Sequence, residues 1–355
     1  MKTLELGSEL SREEVLSSCL TWSQQFSAEY PPCMANHLPM VLVIMDRAGA
    51  PATRMEEFCE QYRVANNLQL VTERMAAITP QNWRDFLGQR EREADFRAFF
   101  AAEVAHRGGR DAARHYLPIL YEGFAASAIH AFMRMAYAAY TNNDTEIAIA
   151  LAYWSSTYLC LGVADGSAPT TREPLDVLKY MYGPDAFRGV KTEIDLLWHN
   201  MRAISGKSEF GPVVNMLEID DGTLARLANA SLTLFASTED FSALHALTGA
   251  HWLRFIEPYS PDNRVAMRYF WQAISALVPK IGFPVLASRE QLDEWRNLSL
   301  PDWPELFAEA LKHSMHGASE AEEHDLSLTF SASQEFKLYG DRLYQYVTAR
   351  RLKLI

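Results

Sequence analysis

Residues 121–140 constrain this chain more than any other stretch. They read Tyr121-Glu-Gly-Phe-Ala-Ala-Ser-Ala-Ile-His130-Ala-Phe-Met-Arg-Met-Ala-Tyr137-Ala-Ala-Tyr140. The run is rich in alanine, methionine and aromatic residues and has no proline, which predicts a helix. Gly123, Ala126 and Ser127 share a helical face with His130, and Met133, Arg134 and Tyr137 extend that face. A helix apolar on nearly every side is buried. His130 is thus an interior imidazole, and both ring nitrogens need partners inside the protein. A carbonyl, a carboxylate or a metal ion would serve.

The rest of the chain supports a helical interior around it. The 355 residues are 48% hydrophobic, enough for a large core. A formal net charge of −12 argues against nucleic acid or an anionic membrane surface as a partner. The four cysteines, Cys19, Cys33, Cys59 and Cys160, have no CxxC spacing and read as reduced, packed thiols. The N-terminal Met1-Lys-Thr-Leu-Glu-Leu-Gly-Ser lacks an apolar signal core, and no apolar run approaches the ~20 residues of a membrane helix. The expectation is a cytoplasmic protein.

Helical patterns follow one another along the chain. Ser11 with Glu13 and Glu14 starts a helix over 11–29, which Pro31-Pro32 ends. Asn36 suits a cap and Pro39 a first turn for the apolar run 41–45, which places His37 at a helix start. A helix N-terminus favours neutral imidazole, the form that ligates metals, although a histidine that caps the turn is the plainer reading. Helical spacing recurs over 52–65, 82–106, 145–162, from Thr223, over 264–279, 287–315 and 319–336, and from about Asp341. Ser319 and Glu322 match a capping box. Alternating strand patterns are rare. No dinucleotide fingerprint, phosphate loop, nucleophile elbow or HExxH motif is present. The chain therefore reads as all-α, one compact multi-helix domain over 1–355 with a histidine cluster buried between helices.

His106, His115, His199, His313 and His316 lie at polar or helix-end positions. His37, His130, His245, His251 and His324 lie in four other helical segments, mostly in apolar surroundings. Facing helices commonly build metal sites, and neutral imidazole suits iron, zinc and copper. The spacing alone is no metal signature, and satisfied core histidines fit it as well. His245 and His251 fall about 120° apart on a straight helix, so both reach one ion only if the helix is distorted, for which Thr248-Gly249 is the place. Glu322, Glu323 and Asp325 flank His324 without forming the acidic set of a facial triad.

Several blocks in order resemble the questin oxidase-like family. These are Asn36-His37-Leu-Pro-Met40 with Arg-Ala-Gly-Ala after it, Tyr116-Leu-Pro, Ala-Ile-His130 with Arg-Met-Ala-Tyr137, and Phe241-Ser-Ala-Leu-His245-Ala-Leu-Thr-Gly-Ala-His251-Trp-Leu-Arg254. Arg268-Tyr-Phe-Trp-Gln-Ala273 and Glu323-His324 followed by Tyr339-Gly-Asp-Arg-Leu-Tyr344 complete the set. The resemblance implies a non-haem iron oxygenase that opens a ring of an anthraquinone-type polyketide with O2, by a Baeyer–Villiger-like or dioxygenase route. Its implied ligands are His37, His130, His324 and one of His245 and His251, with His251 preferred for following the Thr-Gly pair. Arg134, Tyr137 and Arg254 are then candidates to face a substrate oxyanion, with a structural salt bridge or core hydroxyl as the competing role. The family pattern also implies a carboxylated lysine three residues after the last histidine, where this chain has Ser327; Lys337 is too far along to replace it. Two other readings follow: a non-catalytic small-molecule binder, and a metal-independent oxygenase using NADPH, for which the sequence offers no nucleotide cradle.

Overall fold

The computed structural model describes residues 10–313 and 320–355, without the side chains of 320–322. The N-terminal stretch through residue 8, His316 and the Ser319–Glu322 capping box lie outside the described residues or side chains. The fold is all-α. Among the described residues, the only paired strands are Glu29–Tyr30 and Met34–Ala35, antiparallel with Tyr30 opposite Met34. Contacts divide the chain into two compact units. The first comprises residues 1–77, 91–95 and 296–355, and the second 78–90 and 96–295.

In the first unit, the Arg12–Ser23 helix starts at a capping box. The Ser11 N–H donates to Glu14 Oε2 at 2.8 Å, and Ser11 Oγ accepts from the Glu14 N–H. The helix is shorter than its pattern suggested, because the backbone beyond Gln24 bridges Phe26 to Leu70 and then enters the hairpin. Asn36 Oδ1 accepts from the Leu38 N–H at 3.1 Å and so opens the Leu38–Arg47 helix, whose residues 38–45 are all buried. Ala52–Ala65, Trp303–His313, Glu320–Tyr339 and Leu343–Arg351 complete this core. The Glu320–Tyr339 helix is unusual: Glu323, His324, Asp325, Ser327, Thr329, Ser331, Ser333 and Glu335 are all buried beside Leu326, Leu328, Phe330 and Ala332. Some of these polar groups are settled locally. Thr329 Oγ1 donates to the Asp325 carbonyl at 2.8 Å, and Ser333 Oγ to the Phe330 carbonyl at 2.7 Å.

The second unit holds the 121–140 stretch, and here the structure corrects the expectation of one continuous helix. The chain runs through the Gly109–Leu120 helix and a single turn of 3-10 helix at Tyr121–Gly123. It then passes through Ser127, Ala128 and Ile129 with φ of 46°, 53° and 68°. The helix proper is His130–Tyr140. Three consecutive left-handed residues with side chains cost roughly 1–2 kcal/mol each, so only strong tertiary packing holds them. Ala128 and Ile129 are buried, and Tyr153 Oη donates to Ser127 Oγ at 2.7 Å. Residues 82–106 also divide, because Gly88 has φ +82° and its N–H donates to the Ser155 carbonyl at 2.9 Å. Only Glu93–Arg107 is α-helix in that segment.

His130–Tyr140 packs against Asp144–Ser156 and Phe241–Ile256, and the latter against Thr223–Thr238 and Asn263–Ser275. The Phe241–Ile256 helix is uninterrupted at Thr248-Gly249. Gly249 answers a different need: a Cβ there would stand 2.5 Å from Phe270 Cε2. The glycine permits close approach of the Asn263–Ser275 helix.

Candidate metal centre

In the first unit, His37 is placed by the Asn36-capped turn and His324 by the second turn of the Glu320–Tyr339 helix. These two helices pack together. His37 is 3% exposed and His324 4%. Their rings meet edge to face, with centroids 4.7 Å apart. His37 forms no side-chain cap bond. Its Nδ1–H donates instead to the Ala35 carbonyl at 3.0 Å, and the Glu323 Oε1 lies 2.8 Å from the same nitrogen. The backbone N–H of His37 donates to Tyr62 Oη at 3.0 Å. Burial, together with the charge of the nearby Glu323 carboxylate, pushes the Tyr62 phenol well above its ordinary range.

In the second unit, the left-handed turn presents His130. Its Nδ1–H donates to the Ser127 carbonyl at 2.6 Å. His245, 1% exposed, donates from Nδ1 to the Phe241 carbonyl one helical turn earlier, at 3.0 Å. The His130 and His245 rings are 5.1 Å apart and nearly perpendicular, at 75°. His251 faces elsewhere on the same helix, with its ring 4.5 Å from that of Phe255. The continuous helix removes the distortion on which the preference for His251 rested.

A carbonyl oxygen can only accept. In His37, His130 and His245 a proton therefore sits on Nδ1, and in the neutral ring the lone pair is on Nε2. Metal-ligating histidines have this arrangement: one nitrogen donates to a carbonyl or carboxylate, which fixes the tautomer and leaves the other to bind. Buried neutral imidazoles of this kind fit a borderline ion such as ferrous iron. Among the described residues, His37, His130 and His324 are buried histidines suited to ligation.

Arg134, 2% exposed, donates from Nε and Nη2 to Glu146 Oε2 at 3.2 and 3.0 Å, so its charge is balanced where it stands. Tyr137 is buried with its ring edge against Trp252 and Phe255. Arg254 is half-buried in the last turn of the Phe241–Ile256 helix. Ser327 is 2% exposed, one turn beyond His324. His106, His115, His199 and His313, among the histidines set aside in the sequence, stay outside these groupings. His106 and His115 are exposed, and His313 contacts Asp325 through Nδ1 at 2.9 Å.

Glu323 and Tyr62 are the residues that pattern reading undervalued. Glu323 looked like one of several acids flanking a histidine near a helix start. The available signal was the polarity of 323–335 in a helix too closely surrounded to expose it.

No curated protein matches this chain. The questin oxidase-like family matches residues 34–326, a range that contains every histidine of the sequence. With most of its length matched, the chain belongs to the questin oxidase-like family.

Proposed function

We propose that this protein is a non-haem iron oxygenase that opens a ring of a polycyclic, anthraquinone-like aromatic using O2, with 1–355 acting as one functional domain. Family membership supports an oxygenase-type role on polyketides. The observation that carries the finer reading is the shared tautomer of His37, His130 and His245, each with Nδ1–H held by a carbonyl. The proposed ligands are His37, His130, His324 and His245. His251 is the alternative fourth.

Bound ferrous iron would supply the redox chemistry that O2 needs. The chain's own residues do the remainder. The carbonyls of Ala35, Ser127 and Phe241 hold the Nδ1 protons and so orient the rings. The buried apolar helices keep bulk water away. The substrate would react as its phenolate or enolate, with Arg254 and Tyr137 the proposed residues to face the oxyanion. Arg134, the third candidate for the oxyanion, is held by Glu146 in the competing role of a structural salt bridge.

Elemental analysis of protein purified without chelator tests this reading, beside His130→Ala and His324→Ala. Stoichiometric iron that both variants lose, with O2 uptake on hydroxyanthraquinones, supports it. Buried Ser327 motivates the second reading, a non-catalytic binder of the same ligands. Fully folded wild type without metal would favour that reading over the first. Turnover that required NADPH and no metal would favour the metal-independent one.

A further inference from the structure

Glu323 is 3% exposed, with its carboxylate held between His37 and Tyr62. Its Oε1 stands 2.8 Å from His37 Nδ1, but the proton on that nitrogen points at the Ala35 carbonyl. Its other neighbour, Tyr62, accepts the His37 backbone N–H and keeps a phenol O–H to offer the carboxylate. A carboxylate buried so deeply beside neutral groups is disfavoured unless positive charge lies close by. The side chain is on the Nδ1 edge of the imidazole, opposite the nitrogen that would ligate. It cannot coordinate the ion that Nε2 faces, but its field acts along the ring. A carboxylate in this position makes the imidazole a stronger base and fixes its orientation.

We propose that Glu323 is a positioning residue of the metal centre: its buried carboxylate, held against His37 and Tyr62, is the charge counterpart of a divalent cation bound on the far side of the His37 ring. The assignment rests on the metal-dependent reading above. It explains why a helix buried over 323–333 keeps an acid immediately before its ligand histidine. It also gives Tyr62 a role. The phenol fixes the His37 backbone from one side and limits the space of the carboxylate from the other, so the ring cannot rotate without disturbing both.

The test uses the full chain, stripped of metal and titrated with Co(II) against a chromophoric chelator, for wild type, Glu323→Gln, Glu323→Asp and Tyr62→Phe. Glu323→Gln keeps shape and removes charge. It should lower Co(II) affinity ~10–100-fold, the usual effect of losing such an outer partner. The positions of the Co(II) visible bands should not move, because the ligand set is unchanged. The unfolding midpoint of the metal-free variant should equal or exceed that of wild type, since a buried charge has been removed. Glu323→Asp should recover part of the affinity, and Tyr62→Phe should lose less than Glu323→Gln. Wild-type affinity in Glu323→Gln overturns the proposal and leaves the metal reading intact. Shifted Co(II) bands overturn it in favour of direct ligation, and a fall in metal-free stability overturns it in favour of a purely structural acid. If wild type takes up no Co(II), the metal reading fails and the proposal fails with it.

Discussion

The rings of His37 and His324 lie 4.7 Å apart at 64°, an edge-to-face contact between the start of one helix and the second turn of another. Such aromatic pairs contribute about 0.5–1.5 kcal/mol beyond burial. Urea unfolding of a double-mutant cycle on metal-free protein, with His37→Ala and His324→Ala, should return a coupling of that size. The same single variants should each lose bound iron. A coupling near zero would mean that the rings meet without mutual support.

The left-handed turn before His130 makes a prediction with an unexpected sign. Ala128 has φ +53° and is 4% exposed, so Ala128→Gly removes little buried surface and relieves backbone strain. It should stabilise the protein by about 1 kcal/mol, read as a higher thermal midpoint. The freer turn should also hold His130 less firmly and weaken metal uptake. A lower midpoint would show that the turn is not strained.

Gly249 predicts the reverse of the usual rule for a glycine within a helix. Alanine there would ordinarily stabilise by roughly 1 kcal/mol. Here its Cβ would sit 2.5 Å from Phe270 Cε2, and Phe270 is fully buried. Gly249→Ala should destabilise by about 1–3 kcal/mol, and Phe270→Leu should recover part of that loss in chemical denaturation.

The Arg134–Glu146 pair is buried at both ends, with side chains 2% and 6% exposed. Arg134→Met leaves an uncompensated carboxylate and should cost about 3–5 kcal/mol. Adding Glu146→Leu should restore most of it. Failure of the second substitution to rescue, with turnover still lost, would favour contact between Arg134 and substrate.

Several local features of this protein were readable directly from residue type. The Ser11–Glu14 capping box and the Asn36 cap occur where serine, glutamate and asparagine announce them, because a short polar side chain satisfies orphan backbone donors whatever lies around it. The interior placement of His37, His130 and His245 was likewise legible, since the residues around them leave no polar face to turn outward, whereas His324 is buried among acids and hydroxyls that only tertiary packing covers. The left-handed turn at 127–129 was not legible. Serine, alanine and isoleucine do not favour positive φ, and only the packing that surrounds them holds it.

What the sequence by itself determined is the helical class, the helix starts, the set of interior histidines and the family to which they belong. Each follows from periodicity, capping chemistry or residues in a fixed order. Tertiary structure alone decided which histidine faces which. It also turned Gly249 from a suspected distortion into a site of close approach, tied Arg134 to Glu146, and set Glu323 against His37. Those outcomes depend on groups distant in sequence meeting in the dry interior of each unit, where pairing and close packing outweigh local preference.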